Sequence, residues 1–392
     1  MSDTEPGYNA TSCDTSGGEL QLSLGHEDGI EAEAPDTGLT ITQPYDPTKI
    51  RVETRLYTVD LLVGRVREGE IDLAPGFQRK AGIWNESTQS RLIESLLIRI
   101  PLPAFYLDAS DETRWIMVDG LQRTTAMKRF ILDGDLRLQD LEFLTELDGK
   151  TFSQLPRNWQ RRILETQITL YLIGEGTPPE VRFTVFRRIN TRGLPLSAQE
   201  IRHALNQGAA TQLLQELATS REFLEATGHT IRNDRMADRE CVLRALAFLL
   251  RPYDQYRSKD FDGFLNETMR ILNASGPSEL SGLSGRLRRT MDRAAQVLGK
   301  DAFRKIDPQG RKLPINRALL ESWCYHLDRI SEDALQVLVR RQGELRQAVL
   351  CRQSDVEFSA AISMGTGEPL KVRRRFEGIG RVIEEVLQCS DN

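Results

Sequence analysis

The sequence predicts an α+β protein in which a small mixed sheet precedes a long run of helices. Short apolar runs at residues 104–107 and 115–118 flank a polar turn, which is typical of two antiparallel strands, and residues 168–173 form a third β-like run. Beyond these runs, apolar residues recur at helical spacing almost to the end of the chain. We therefore expect an α+β domain over residues 46–205 and an all-helical domain over residues 206–392.

Capping signals place helices before and after the strand-like runs. Thr58 is a candidate N-cap for a short helix that stops at Gly69, and Asn85 precedes a helix with a clear apolar stripe. Ser197 and Glu200 have the spacing of a capping box, in which each side chain accepts a hydrogen bond from the backbone N–H group of the other residue.

The C-terminal half shows no repeat of fixed period, so a helical bundle is predicted rather than a solenoid. Connectors rich in Gly and Pro, at residues 274–277 and 307–310, separate the helical segments. The expected helices include residues 211–226, 238–250, 260–272, 283–298, 317–330, 331–346 and 381–387.

Composition limits the class of protein. No apolar run approaches the roughly 20 residues of a membrane span, and five scattered cysteines without CxxC spacing indicate a reduced, cytoplasmic protein without structural zinc. Residues 1–45 are polar, acidic and aperiodic, which predicts a disordered acidic tail. Because residues 1–48 contain ten Asp or Glu residues and no Lys or Arg, the rest of the chain is mildly basic, which permits a nucleic-acid partner without requiring one.

A phosphate site is predicted where the second strand-like run ends. Asp119 and Gly120 form a tight turn, and the apolar spacing from Leu121 onward indicates that a helix starts there. The first N–H groups of a helix lack internal partners and lie at the positive end of its dipole. Gly120 lets the backbone approach a ligand, Gln122 offers a side-chain donor, and Arg123 can direct two hydrogen bonds to a phosphate.

The same turn also fits a purely structural interpretation. Asp119 would then be an N-cap to which Gln122 reaches back, and Arg123 would be an ordinary charge on the helix surface. The turn alone is too short to decide between the two interpretations, and the segments upstream favour the phosphate site.

Three segments stand in a specific order: Phe77-Gln78-Arg79 with Trp84, then residues 92–103, which contain Leu-Ile-Glu-Ser and Ile-Pro-Leu-Pro, then residues 118–123. Together they resemble the N-terminal domain family of GmrSD-type restriction enzymes, which is built around a DGQQR motif on a ParB/sulfiredoxin-like fold. The later sequence Asn190-Thr191-Arg192-Gly193 matches a further element of that family.

The resemblance implies binding and hydrolysis of a nucleoside triphosphate with Mg²⁺, coupled to defence against foreign, often modified, DNA. Catalytic roles fall to Asp119, Gln122 and Gln78, and Asp119 also holds the Mg²⁺ ion. The expected nucleotide contacts are Gly120, Arg123, Arg79, Thr124 and Asn190.

Leu121 departs from the family, which usually has the first Gln of its motif at this position. Because Leu cannot form a side-chain hydrogen bond, hydrolysis is expected to be slow if that Gln orients water or a phosphate oxygen, while binding survives. Longer relatives carry an HNH nuclease module, whereas this chain has no histidine after His326, so cutting is expected from a separate nuclease subunit.

Basic clusters offer a DNA surface, although each is also compatible with an ordinary solvated face. The candidates are Arg187, Arg188, Arg373, Arg374 and Arg375. The favoured function is nucleotide-dependent action on foreign DNA. The alternatives are a non-hydrolysing, nucleotide-gated DNA-binding switch of ParB type and an interaction protein whose Asp-Gly turn is only structural.

Overall fold

The computed structural model describes residues 29–31, 51–73, 84–189, 197–233, 235–307 and 309–388. Its N-terminal part combines a sheet with helices. The strands are β1 (Val52–Thr58), β2 (Ile71–Asp72), β3 (Phe105–Ala109), β4 (Trp115–Asp119) and β5 (Gln167–Gly174). The helices are α1 (Val59–Arg67), α2 (Glu86–Leu97), α3 (Leu121–Lys128), α4 (Arg157–Leu164), α5 (Pro179–Ile189) and α6 (Ala198–Leu205).

The five strands form one mixed sheet in the order β1-β5-β3-β4-β2. β1 pairs with β5 and β3 pairs with β4 in antiparallel fashion, whereas β3 with β5 and β2 with β4 are parallel. The predicted mixed sheet and the predicted antiparallel pairing of residues 104–107 with 115–118 are confirmed. A register shift between Tyr106 and Leu107 distorts the β3–β4 pair close to the end of β4.

Helices cover both faces of the sheet because successive side chains of a strand point to opposite faces. One face packs its apolar side chains against α1–α4, and the other packs against α5 and α6. The first core contains Phe105, Leu107, Met117, Leu170, Leu62, Ile93, Met127 and Ile163. The second contains Val118, Ile173, Phe183, Phe186 and Ile201.

The predicted caps are present at three helix starts. The side-chain oxygen of Thr58 accepts a hydrogen bond from the Leu61 N–H at 3.2 Å, and that of Asn85 accepts one from Thr88 at 2.8 Å. Ser197 and Glu200 form the reciprocal capping box at the start of α6. Local sequence therefore fixes where α1, α2 and α6 begin.

The C-terminal region is mostly helical, as predicted, but it is not all-helical. Its helices are α7 (Ala209–Ala218), α8 (Arg221–Thr227), α9 (Ala237–Leu250), α10 (Phe261–Ala274), α11 (Pro277–Leu298), α12 (Arg317–Arg329), α13 (Glu332–Arg340), α14 (Gln342–Ser354), α15 (Val356–Ala361) and α16 (Pro369–Gln388). Two strands, β6 (Arg304–Ile306) and β7 (Lys312–Ile315), flank the predicted connector at 307–310 and form a two-stranded antiparallel sheet.

Two predicted long helices are each divided in the structure. Ser220 caps α8 and separates it from α7, so residues 211–226 are not one helix. Residues 331–346 are divided between α13 and α14, with Arg341 as the junction. The last helix begins at Pro369, well before the predicted start at residue 381.

Residues 29–31 differ from the disorder predicted for the acidic tail. Ile30 is buried among the helices and forms an isolated parallel bridge with Ile315. The Glu31 carboxylate pairs with Lys305 at 2.5 Å and accepts a hydrogen bond from the Asn316 amide at 2.9 Å. An apolar side chain and a charge partner thus hold this short stretch against the C-terminal region.

Ion pairs join the two parts of the chain at α10. Arg202 of α6 is 1% exposed and pairs with Asp262 at 2.7 Å. Arg187 of α5 reaches the other oxygen of the same carboxylate at 3.2 Å. One carboxylate on α10 therefore anchors two helices that cover the N-terminal sheet.

Candidate functional site

The predicted phosphate site lies at one edge of the sheet, where β4 ends and β3 starts. We call this place the Gly120 edge, and define it as residues 103–105, Asp119, Gly120 and the first turn of α3. Because β2 runs parallel to β4, with Asp72 opposite Ile116, β2 also ends on this side of the sheet. Ligands of open α/β sheets bind outside the carboxyl ends of strands, and this edge has that position.

Gly120 makes the turn possible in two ways. Its φ of 103° lies in the region that favours glycine. A Cβ atom at this position would stand 2.3 Å from Cδ1 of Phe105, a fully buried ring at the start of β3. The backbone of the turn therefore packs directly on an aromatic ring, with no room for any side chain.

The Arg123 side chain binds groups of the protein around the turn and does not extend into solvent. Its guanidinium donates hydrogen bonds to the carbonyl oxygen of Pro103, to that of Ala104 at 3.1 Å and to the Asp119 carboxylate at 3.0 Å. The same group lies 4.2 Å above the Phe105 ring, a cation–π arrangement. Burial lowers the pKa of Arg123, and Asp119 partly offsets this effect.

This geometry corrects two expectations about the site. Arg123 is 8% exposed and its donors serve the protein itself, so it does not direct a fork at a phosphate in this arrangement. It is also not the ordinary surface charge of the structural interpretation. Thr124 has no exposed surface, so its hydroxyl cannot meet a nucleotide without a rearrangement of α3.

The open donors of the Gly120 edge are backbone amides. Within the described part of the chain, no acceptor takes the N–H groups of Leu121, Gln122 or Arg123, whereas the Thr124 N–H donates to the Gly120 carbonyl at 2.8 Å. Asp119 does not cap the helix, since Gly120 occupies the N-cap position without a side-chain hydrogen bond. The start of α3 thus keeps the anion-binding character of an open helix N-terminus.

Gln122 and Leu121 occupy different environments at this turn. Gln122, in the first turn of α3, is half-buried. Leu121 packs against the core of α1–α4 and the sheet. The residue that departs from the DGQQR motif therefore serves as a core contact here.

Three predicted site residues, Gln78, Arg79 and Asn190, lie outside the described residues. Their described neighbours lie next to the edge or run towards it. Leu73, which follows β2, leaves the sheet on the side of Gly120. β5 is parallel to β3 and ends on the opposite side, so α5, which follows after four residues, runs back across the sheet towards the edge.

Residues 60–206 match the model of a family described as the GmrSD restriction endonuclease, N-terminal domain. This part of the chain is similar to the GmrSD N-terminal domain. The match runs from α1 to the end of α6 and includes the whole Gly120 edge. No curated protein matches the chain.

Other parts of the GmrSD resemblance have structural roles. Glu94, from the Leu-Ile-Glu-Ser segment, is 3% exposed and accepts hydrogen bonds from the N–H groups of Glu142, Phe143 and Leu144 at 2.7–3.0 Å. Burial alone would raise the pKa of Glu94, but these three donors lower it below its usual range. Glu94 therefore ties the loop before α4 to α2.

The sequence analysis missed Phe105 and the carbonyl groups of Pro103 and Ala104. An aromatic residue in a strand carries no local sign that a glycine and a guanidinium will pack against its ring. The segment that ends at Pro103 was part of the family resemblance, which is the only signal that could have drawn attention to it.

The candidate DNA-binding arginines are in very different surroundings. Arg375 has no exposed surface and pairs with Glu321 at 2.5 Å, so it is a core residue and not a DNA contact. Arg374 is half-buried and pairs with Glu357 at 3.2 Å. Arg373 and Arg188 are exposed, and Arg187 is exposed although it pairs with Asp262 at 3.2 Å, so these three remain compatible with the predicted DNA surface.

Two further structural findings bear on the class of protein. In the described ranges, no three His, Cys, Asp or Glu side chains come together as metal ligands. None of the helices in the described residues combines the length and apolar character needed to cross a bilayer.

Proposed function

We propose that this chain is a restriction-type protein that acts on foreign DNA and that its GmrSD N-terminal domain binds a nucleoside triphosphate at the Gly120 edge. The family name supports the first part of the proposal. The observation that carries the second is the start of α3, where consecutive amides lack an acceptor among the described residues.

In this proposal the backbone binds the phosphate and the side chains organise the backbone. The amides of Leu121, Gln122 and Arg123 donate to the phosphate oxygens, and the Gln122 amide adds one side-chain donor. Arg123 is a positioning residue, because its hydrogen bonds to Ala104 and Asp119 fix the turn on Phe105. This assignment replaces the direct arginine–phosphate contact expected from the sequence.

Asp119 is compatible with a Mg²⁺ ion bound together with the nucleotide. Its carboxylate is 32% exposed, and one of its oxygens accepts the hydrogen bond from Arg123. Mg²⁺ commonly takes only one or two carboxylates and fills its other positions with water and substrate phosphates. The ion would neutralise phosphate charge, while Arg123 orients the Asp119 carboxylate.

Hydrolysis is a separate step that needs a group to position water. Gln122 is at the edge, and Gln78 belongs to the segment between β2 and α2. Leu121 cannot contribute, since its side chain is apolar and packs on the core. We therefore propose that this chain binds the nucleotide but hydrolyses it slowly. Leu121→Gln should raise the rate of phosphate release.

Titration with fluorescent ATP and GTP analogues, followed by a phosphate-release assay, tests the proposal. Gln122→Ala should weaken binding about tenfold, the effect of losing one hydrogen bond to a charged group. Gln336→Ala, an exposed glutamine on α13, is the matched control and should bind like the unmodified protein. Binding without phosphate release supports the ParB-type switch, and no binding of either analogue with Mg²⁺ leaves only the structural interpretation of the turn.

The DNA-binding part is tested with the exposed pair Arg187 and Arg188. In fluorescence anisotropy with duplex DNA, the double alanine variant should bind more weakly. The negative slope of the log association constant against log salt concentration should become shallower by about 0.9 for each lost phosphate contact. Arg340→Ala, at the exposed end of α13, is the control. An unchanged salt slope in the double variant would show that these α5 arginines do not contact the DNA phosphates.

A further inference from the structure

The C-terminal region contains a pocket of about 290 Å³ that the proposed nucleotide site does not use. It lies between the end of α11, the β6–β7 hairpin, α12 and α14. All of its lining residues follow residue 296, so the pocket is separate in sequence from the Gly120 edge. Its size is in the range of cavities that hold small organic ligands.

The floor of the pocket is apolar and aromatic. Val297, Trp323 and Leu345 line it, and each of these side chains is at most 2% exposed. Val349 of α14 completes the apolar wall and is half-buried. An apolar body of a ligand would therefore lose its contact with water on this floor, which is the main favourable contribution to binding in such cavities.

The rim of the pocket is positively charged. Four cationic side chains line the pocket against a single carboxylate; the cations are Lys300, Arg304, Lys312 and Arg346, and the carboxylate is Asp301. Arg304 donates to the carbonyl groups of Leu313 and Thr227, so the other three cations are the ones considered for a ligand. Asp301 pairs with Lys312 at 2.8 Å and with Arg346 at 2.7 Å. Burial alone would raise the pKa of Asp301, but these two partners lower it, so the carboxylate is ionised at neutral pH.

Asp301 orients the two cations without using all their donors. A lysine ammonium has three N–H groups and an arginine guanidinium has five. Lys312 and Arg346 therefore keep donors for a second anion, and their side chains are 41% and 50% exposed at the mouth of the pocket. Lys300, also exposed, adds a further positive charge beside them.

We propose that this pocket binds a small organic anion whose apolar body lies on Trp323 and whose carboxylate, sulfonate or phosphate group lies between Lys312 and Arg346. The apolar floor and the excess of positive charge at the rim together select this class of ligand. The proposal does not depend on nucleotide binding at the Gly120 edge.

The test uses the fluorescence of 8-anilinonaphthalene-1-sulfonate, an aromatic anion, with the full chain. We expect saturable binding of one probe molecule per chain. Arg346→Glu should weaken it about tenfold, whereas Asp301→Asn should tighten it about fourfold, as expected for one unit charge about 5 Å away in water. Arg340→Glu, outside the pocket, and Gln122→Ala, at the Gly120 edge, should leave it unchanged.

Competition with two probes that share an apolar chain isolates the role of charge. Octanoate should displace the fluorescent probe, whereas octylammonium and inorganic phosphate should not. Val349→Trp, which fills the pocket, should abolish binding, and circular dichroism checks that this variant remains folded. Arg346 is half exposed, so its variant tests the proposal even if Val349→Trp does not fold.

Three results would overturn the proposal. The first is equal binding by the Arg346→Glu and Arg340→Glu variants. The second is displacement by octylammonium as effective as by octanoate. The third is probe binding that occurs only after residues 1–28 are removed, which would identify the acidic N-terminal segment of the same chain as the occupant in place of a free ligand.

Discussion

Replacing Gly120 with alanine tests how the Gly120 edge is built. The new methyl group would have to occupy a position 2.3 Å from Cδ1 and 2.9 Å from Cε1 of Phe105. Such distances are far below normal carbon–carbon contact, so either the buried ring or the turn must move. The backbone of an alanine at a φ of 103° is strained as well.

The expected cost has two parts. A non-glycine residue at positive φ costs about 1–2 kcal/mol. Forcing a buried ring to move costs about 1–3 kcal/mol, as in other overpacked cores. Gly120→Ala should therefore destabilise the GmrSD N-terminal domain by about 2–5 kcal/mol in total.

Gly149 provides a matched control for the backbone part. Its φ is 79°, but nothing lies within 4 Å of the position of its absent Cβ atom. Gly149→Ala should therefore show only the cost of positive φ, about 1–2 kcal/mol. The reduced freedom of the unfolded chain is the same for both substitutions and cancels in the comparison.

Urea unfolding gives the free energies, and hydrogen exchange of peptides from β3 and β4 localises the effect. A second substitution, Phe105→Leu, should relieve the clash, so the double variant should be about 1–3 kcal/mol more stable than the sum of the single effects predicts. Equal destabilisation by Gly120→Ala and Gly149→Ala, or additive effects in the double variant, would refute the proposed packing of the turn on Phe105.

Four further substitutions, one of them a control, test individual side chains. Arg123→Ala should destabilise the domain by about 1–3 kcal/mol, because it removes the donor to the carbonyl groups of Pro103 and Ala104 and to the Asp119 carboxylate; unchanged urea unfolding would contradict the positioning role. Arg375→Ala should cost about 3 kcal/mol, because it removes one of the two arginine partners of the buried Glu321 carboxylate and leaves only Arg244, whereas Arg373→Ala should change stability by less than about 0.5 kcal/mol in the same assay. Burial, aided by the charge of Arg239, lowers the pKa of His203 from 6.5 to about 4, so the unfolded chain binds the extra proton between these values. Stability should be complete above pH 6.5 and fall by about 3 kcal/mol as the pH drops to 4, and His203→Gln should lose this part of the pH dependence of the urea midpoint.

Prediction from the sequence succeeded where the signal is local. The caps at Thr58 and Asn85 and the capping box at Ser197 involve residues within one turn, so their spacing is sufficient to identify them. The Asp-Gly turn before α3 was found for the same reason. Short apolar runs identified β3, β4 and β5, but not β1, β6 or β7, nor β2, which has only two residues and depends on β4 for its hydrogen bonds.

The direction of a long polar side chain could not be predicted in this way. Arg123 was assigned to a phosphate because a guanidinium near a helix start can reach one. Its actual acceptors, the carbonyl groups of Pro103 and Ala104, are about twenty residues earlier in the chain. They lie within reach only because β3 pairs with β4 in an antiparallel ladder. The same limit applies to Arg375, whose partner Glu321 is on another helix.

The sequence by itself determined the succession of a small sheet and many helices, the strands β3, β4 and β5, the position of the glycine turn and the family resemblance of residues 60–206. These properties depend on residue types at short and fixed spacing, which a sequence displays directly. The tertiary structure decided which donors face solvent and which are used internally, and thereby moved the proposed phosphate contact from Arg123 to the backbone of α3. Charged side chains have several possible partners, and only the packing of distant segments selects among them.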